Sequence, residues 1–219
     1  MCLLLKNQYC IFFHMSRNKL KKILSVGELE NVFTDPADVE LEGRVVLELG
    51  CGHGEYASSL GRHYPDVNFV GVDRKGERVW WAAKKAQDAG LKNVFFIKGE
   101  VSDLVEFFGR RKVDEIWITF PDPFPKPCRA KKRLVSSKFL EVYRRILKPG
   151  GIVHFKTDLD KLFDYGLEVL GDEGIEVDEI IRDVHGQEEV PELLQIKTYY
   201  EQKFMAKGHP IFYLRYRLG

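Results

Sequence analysis

The sequence predicts an α/β fold: one domain with a mostly parallel sheet, an antiparallel strand at its C-terminal end, and helices on both faces. Three observations carry this expectation. From residue 44 onward, short apolar runs alternate with amphipathic stretches of helical period. A glycine-rich loop follows the first of these runs. The chain has 219 residues, 44% hydrophobic and 12% aromatic, enough for one sizeable core.

The elements follow in order. Arg44–Leu49 (RVVLEL) reads as a strand that runs into glycines, and Tyr56–Tyr64 follows as a helix. Asn68–Asp73 is a second strand, and the amphipathic stretch Glu77–Gly90 is a helix closed by its glycine. Strand Val94–Lys98, helix Asp103–Phe108, strand Glu115–Phe120 and helix Ser136–Leu147 come next. Lys148-Pro149-Gly150-Gly151 breaks that last helix. Strand Ile152–Thr157, helix Leu159–Leu170 and strand Ile175–Ile181 precede a final strand, Ile211–Arg217, whose alternation suits a half-exposed edge. No repeat or low-complexity linker interrupts the series.

Composition removes several classes. Thirty-four Lys and Arg face 33 Asp and Glu, so the net charge of +1 gives no global electrostatic commitment. Cys2, Cys10, Cys51 and Cys128 are scattered without a framework, which argues against a disulfide scaffold, and without a C-x-x-C pair no metal is expected. The six histidines lack ligand spacing and read as packed or surface residues, with His53 set apart by its place in the glycine loop. Met1–Met15 holds two apolar clusters, but Lys6-Asn7-Gln8 interrupts them, so neither a signal peptide nor a membrane span is expected. The protein is read as cytoplasmic, with Met15 a second candidate start.

Local charge is far less even. Lys126–Lys148 carries nine Lys and Arg against Glu141 alone, whereas Asp158–Glu192 carries thirteen acids against Lys161 and Arg182. A basic stretch of this density attracts phosphate, or is merely a solvated helix face.

Leu47-Glu48-Leu49-Gly50-Cys51-Gly52-His53-Gly54 is the strongest local signal. Glycines at a strand's carboxyl end let the backbone turn tightly and approach a ligand, at the place where open α/β sheets bind ligands. A dinucleotide site would prefer G-x-G-x-x-G, but Gly54 comes one position early. Glu48, beside the loop, suits an ammonium or sulfonium group better than a pyrophosphate, which points to S-adenosylmethionine. Asp73 ends the second strand, where an acid can accept from both ribose hydroxyls, and Glu100 follows the third, within reach of an adenine edge. Each acid alone could cap a helix, whereas three at successive strand ends make one nucleoside site.

After the fourth strand comes Pro121-Asp122-Pro123-Phe124-Pro125-Lys126. The prolines fix the backbone and forbid helix around Asp122. A carboxylate held there can accept two N–H bonds from a guanine edge, with Phe124 available to stack. Alone the motif would read as a stiff turn, but it stands at a strand end immediately before the basic stretch.

With these motifs, LELGCGHGEY, GVDRK, PDPFPK followed by AKKRL, KPGG, FKTD and TYYE (Thr198–Glu201), the chain resembles the bacterial tRNA (guanine-N7-)-methyltransferase family. That family is a branch of the class I, Rossmann-like S-adenosylmethionine methyltransferases, and the resemblance runs from about Arg44 onward. It implies residues 1–40 as an N-terminal extension and 41–219 as the methyltransferase domain, acting as a monomer or homodimer, without membrane or metal. It implies methylation at N7 of a guanine in the variable loop of tRNA (position 46). Glu48, Gly50, Gly52, Gly54, Asp73, Glu100 and Asp122 are then cofactor-binding, with Asp122 catalytic. Lys126, Asp158, Thr198, Tyr199, Tyr200 and Glu201 bind the substrate guanosine, and Arg129, Lys131, Lys132 and Arg133 contact RNA phosphates. The chain departs from the family pattern where Phe124 stands for Trp, Asp73 for the commoner Glu, Cys128 for an arginine and Leu159 for Trp.

N7 carries a lone pair and no proton, so its methylation needs alignment and negative potential rather than a strong base. Two other classes compete: a methyltransferase for another RNA or a small molecule, and a non-enzymatic RNA-binding module. The intact glycine loop disfavours the module, and the basic stretch after Asp122 disfavours a small-molecule enzyme.

Overall fold

The computed structural model describes residues 17–109 and 112–218. The apolar clusters of Met1–Met15 and the second candidate start lie outside the described residues. In chain order the elements are α1 (Arg17–Leu24), β1 (Val32–Phe33), β2 (Arg44–Leu49), α2 (Glu55–His63), β3 (Val67–Asp73), α3 (Gly76–Asp88), β4 (Val94–Lys98) and α4 (Leu104–Phe108). They continue with β5 (Val113–Thr119), α5 (Ser137–Ile146), β6 (Leu147–Thr157), α6 (Asp160–Asp172), β7 (Val177–Ile181), α7 (Glu192–Gln195), α8 (Tyr199–Met205) and β8 (Phe212–Leu218).

The strands form one sheet in the order β1-β4-β3-β2-β5-β6-β8-β7. Pairing from β1 through β6 is parallel, and β8 runs antiparallel to both β6 and β7. From β2 the chain winds outward through β3 to β4, then returns to the other side of β2 for β5 and β6. The gap between the carboxyl ends of β2 and β5 is therefore the switch point of the sheet, where such folds open a crevice.

Both faces of the central strands are buried, so alternate side chains enter two different cores. On β2, Val45, Leu47 and Leu49 pack beneath α4, α5 and α6, while Val46 joins Phe69, Phe96 and Trp117 beneath α2 and α3. This explains why RVVLEL reads as a nearly continuous apolar run. Helix α5 ends at Ile146, and Lys148–Gly151 lies within β6 as an irregularity of register: Val113 pairs Leu147 but Glu115 pairs Ile152. His154 lies flat on Trp117, with ring centroids 3.9 Å apart, and its Nδ1 meets the Tyr213 hydroxyl at 2.8 Å. Burial lowers its pKa.

One expectation needs correction. The final strand is not an edge: β8 lies between β6 and β7, and Phe212, Tyr213, Leu214, Tyr216 and Leu218 are buried. The edge is β7, whose Ile180 is exposed. Arg215 and Arg217 of β8 meet acids of β7. Arg215 Nη1 lies 3.3 Å from Glu179 and Arg217 Nε 3.2 Å from Asp178, so part of the acidic stretch serves internal pairing. In the N-terminal extension, β1 pairs with β4 and Lys22 of α1 stacks 3.9 Å above the Trp81 ring of α3. Among the described residues, no helix is long and apolar enough to cross a membrane, and no group of three or more His, Cys, Asp or Glu could hold a metal.

Candidate active site

A cavity of about 710 Å³ opens at the switch point, walled by the loops after β2, β3, β4, β5 and β6 and by α8. Its floor is the glycine loop. Gly50 and Gly52 take positive φ of 74° and 58°, and no other group lies within 4 Å of where a Cβ on either would stand. The loop therefore presents bare backbone to a ligand. Gly54 shares the positive φ (67°) and has a further reason to be glycine: a Cβ there would stand 2.7 Å from the Phe96 ring. It lies outside the cavity lining and lets α2 pack closely on the sheet.

Glu48, at the end of β2, is buried beneath this loop. One carboxylate oxygen accepts from Ala57 N (3.0 Å) and the other from the Thr119 hydroxyl (3.0 Å), which ties α2 and β5 to β2. Burial pushes its pKa up to about 7 despite these donors. Asp73, at the end of β3, accepts from Gly52 N (3.1 Å) and Lys75 N (2.8 Å), with Arg78 Nη1 3.7 Å away. It braces the glycine loop as well as facing the cavity. Glu100, beyond β4, is exposed on the cavity wall. The three strand-end acids thus meet in one cavity.

Asp122 faces the same space from the loop after β5. Phe120 (φ 48°) and Phe124 (φ 41°) are the non-glycine residues with positive φ among those described, and they bracket the Pro-Asp-Pro turn. Such conformations cost on the order of 1 kcal/mol or more each and persist only where the surroundings enforce them. Two contacts do so: Phe120 N donates to Lys156 O at 2.8 Å, and Arg133 donates to the carbonyls of Pro123 (3.1 Å) and Phe124 (3.2 Å). The Arg133 guanidinium also stacks 4.3 Å from the Tyr165 ring. Arg133, expected at an RNA phosphate, braces the Asp122 loop through these carbonyls.

Asp158 follows β6 with its carboxylate 3.6 Å from His209 Nδ1 and lines the cavity. Helix α8 supplies the remaining wall. Thr198 caps it by accepting from Glu201 N (3.2 Å), and Tyr199 N donates to Glu55 Oε2 (2.7 Å) at the start of α2. Tyr199 and Tyr200 are exposed on the cavity side, and Phe204 packs against Phe120. Glu201, expected at the substrate, is 0% exposed and points into the protein. Its Oε1 lies 2.6 Å from Lys156 Nζ and 2.8 Å from His185 Nε2. Of the basic residues, Lys132 lines the cavity, whereas Lys126, Arg129 and Lys131 are exposed outside its lining.

Sequence reasoning did not single out Lys156, Arg78, Lys138 or Thr119. Lys138, Arg74, Lys75 and Arg78 add positive charge to the lining. A legible signal existed for Lys156, since a lysine inside the apolar run of β6 requires a buried partner.

Bare glycine backbone at a sheet's switch point, ringed by acids at successive strand ends, fits a nucleoside bearing a cationic group. This fold and site define a Rossmann-like, S-adenosylmethionine-dependent methyltransferase. Solved structures agree on the fold. The 16S rRNA methyltransferase KamB superposes with a TM-score of 0.62 at 15% identity, covering 94% of this chain and 95% of that one. A SAM-dependent methyltransferase from Aquifex aeolicus gives 0.55 at 22% identity, covering 94% and 100%. The Methyltransf_4 methyltransferase family model matches residues 42–214. Curated relatives named tRNA (guanine-N(7)-)-methyltransferase include those of Bacteroides thetaiotaomicron (39% identical; 93% of this chain and 87% of the relative) and Christiangramia forsetii (40%; 93% and 99%). That of Porphyromonas gingivalis is 43% identical over 80% of this chain and 71% of its own. The chain belongs to the tRNA (guanine-N7-)-methyltransferase family.

Proposed function

We infer that the protein transfers the methyl group of S-adenosylmethionine to N7 of a guanine in the variable loop of tRNA, in the cytoplasm. The observation that carries this reading is the shared cavity: the exposed carboxylate of Asp122, held between two strained phenylalanines, opens onto the same space as the bare glycine backbone.

S-adenosylmethionine, when bound, supplies a methyl carbon made electrophilic by its sulfonium. Gly50 and Gly52 offer backbone to it, Asp73 and Glu100 the acceptors for ribose and adenine, and Glu48 a carboxylate near the cationic end. Asp122 accepts from the N–H groups of the guanine edge and orients N7, with Phe124 and Tyr200 as stacking faces. N7 gives up no proton on methylation, so Asp122 works by alignment and by offsetting the positive charge that develops on the ring. Asp158, on the adjacent strand end, adds to that potential. Thr198 contacts the nucleoside from the cavity wall and Lys126 from outside the lining, and Arg129, Lys131 and Lys132 form the rim that meets RNA phosphate.

The test is transfer of tritiated methyl from S-adenosylmethionine to bulk tRNA, followed by nuclease digestion. Label recovered as 7-methylguanosine supports the reading. Label in another nucleoside, or transfer to small molecules alone, overturns it.

A further inference from the structure

We propose that Lys156 is a positioning residue that sets the gap between the Asp122 loop and α8, acting through its buried ion pair with Glu201. The proposal rests on the reading of Asp122 and α8 as the two walls of the guanine site.

Lys156 is 0% exposed, and methyl transfer to N7 has no direct use for an ammonium buried in the sheet. Its two ends serve different walls. The main-chain carbonyl accepts from Phe120 N at 2.8 Å, fixing the first of the two strained residues around Asp122. The ammonium lies 2.6 Å from Glu201 Oε1 and donates to Leu194 O at 3.1 Å, fixing α8 and α7. His185, in the turn after β7, adds a second contact to the same carboxylate oxygen at 2.8 Å. The loop bearing Asp122 and the helix bearing Tyr199, Tyr200 and Phe204 therefore meet at one residue.

Stability alone does not account for this arrangement. A buried ion pair is commonly matched by apolar residues of similar volume, because desolvating two charges offsets their attraction. Here burial also draws the Lys156 ammonium toward its neutral form, with Glu201 opposing. Glu201 Oε2 is buried without a hydrogen-bond partner, a cost that packing would avoid. What the pair supplies is register, since a charged contact of this length closes at one placement of α8, whereas apolar packing accepts several.

The test compares Glu201→Gln and the double variant Lys156→Met/Glu201→Met with the parent, using bulk tRNA and S-adenosylmethionine. The double variant should melt within a few degrees of the parent and bind S-adenosylmethionine with parental Kd, yet show kcat at least tenfold lower. Glu201→Gln, which keeps shape and one acceptor, should show the same split more weakly. Amide exchange across residues 199–205 should speed at least tenfold in both, with 50–57 unchanged. Parental kcat in either folded variant overturns the proposal, as does cofactor affinity that falls in step with kcat. Should the double variant fail to fold, Glu201→Gln alone decides. A parent that forms no 7-methylguanosine strikes the functional reading instead, and the exchange experiment, which needs no substrate, still decides whether the pair holds α8.

Discussion

The two halves of the cavity are built by different means. The cofactor half is held within one strand–helix–strand unit by contacts among backbone groups and strand-end acids: Gly50 N donates to Val72 O, Gly52 N to Asp73, and Ala57 N to Glu48. Its unusual backbone angles fall on glycines, where they cost little. The acceptor half puts such angles on phenylalanines and enforces them from other segments, through Arg133, Lys156 and Glu201. One half is preformed by local chemistry, and the other is held in place by the rest of the molecule.

The sharpest way to break this comparison is Asp122→Asn. The amide keeps the shape but replaces one acceptor by a donor and removes the charge, so turnover should fall about 10²–10³-fold. Cofactor affinity, which belongs to the other half, should stay at the parental value. Single-turnover methylation at saturating S-adenosylmethionine and tRNA measures the first and calorimetry the second; near-parental turnover would make Asp122 a turn residue only.

Glu48 sharpens the contrast through pH. Its pKa is about 7 in the folded protein against an ordinary 4.5. The folded state thus holds the proton more tightly, and the stability this contributes is complete below about pH 4.5 and lost as pH rises to about 7. The loss is on the order of 3 kcal/mol at 1.36 kcal/mol per pH unit. Glu48→Gln can still accept from Ala57 N and donate to the Thr119 hydroxyl. It should flatten the dependence of melting temperature across that window and raise stability at pH 8, while weakening cofactor binding. An unchanged pH slope would show that another group titrates there.

Asp73→Ala should weaken S-adenosylmethionine by about 1.5–3 kcal/mol and leave tRNA affinity nearly unchanged. A parallel loss of RNA binding would mean that the halves are not separable. The smallest effect concerns the rim. Neutralising Lys131 and Lys132 should lower the salt slope of tRNA binding by roughly 0.7–0.9 per lost phosphate contact. Arg133→Ala should leave that slope alone and reduce turnover, because Arg133 holds carbonyls of the Asp122 loop.

What the sequence made legible follows the same division. The order of strands and helices from β2 to β7, the glycine loop and the acids at the ends of β2, β3 and β4 could be read because each depends on residues close in the chain, whereas α1, β1, α7 and α8 were not read. Asp122 was legible because prolines restrict the backbone locally. Glu201 was read as a substrate contact from its place in TYYE, and nothing nearby reveals that Lys156, 45 positions earlier, takes its carboxylate inward. The same holds for β8. The alternation of Phe212–Leu218 is compatible with an edge, and its pairing with both β6 and β7, beside whose acids Arg215 and Arg217 lie, makes it an interior strand. Arg133 sat in a basic run, and its stack on Tyr165 is a long-range fact that no charge pattern contains.

The insertion of β8 between β6 and β7 has a consequence in time. During synthesis, residues 44–118 can pair β2, β3, β4 and β5 and shape the cofactor half as soon as they emerge. β6 must wait for residues 212–218 before its free side is covered, and β7 has no partner until the same strand arrives. Contacts of such sequence separation form late, since the intervening loop must close first. A nascent chain would therefore shape its cofactor half well before its acceptor half, whose α8 wall is tied through Glu201 to Lys156 of a β6 still lacking its neighbour.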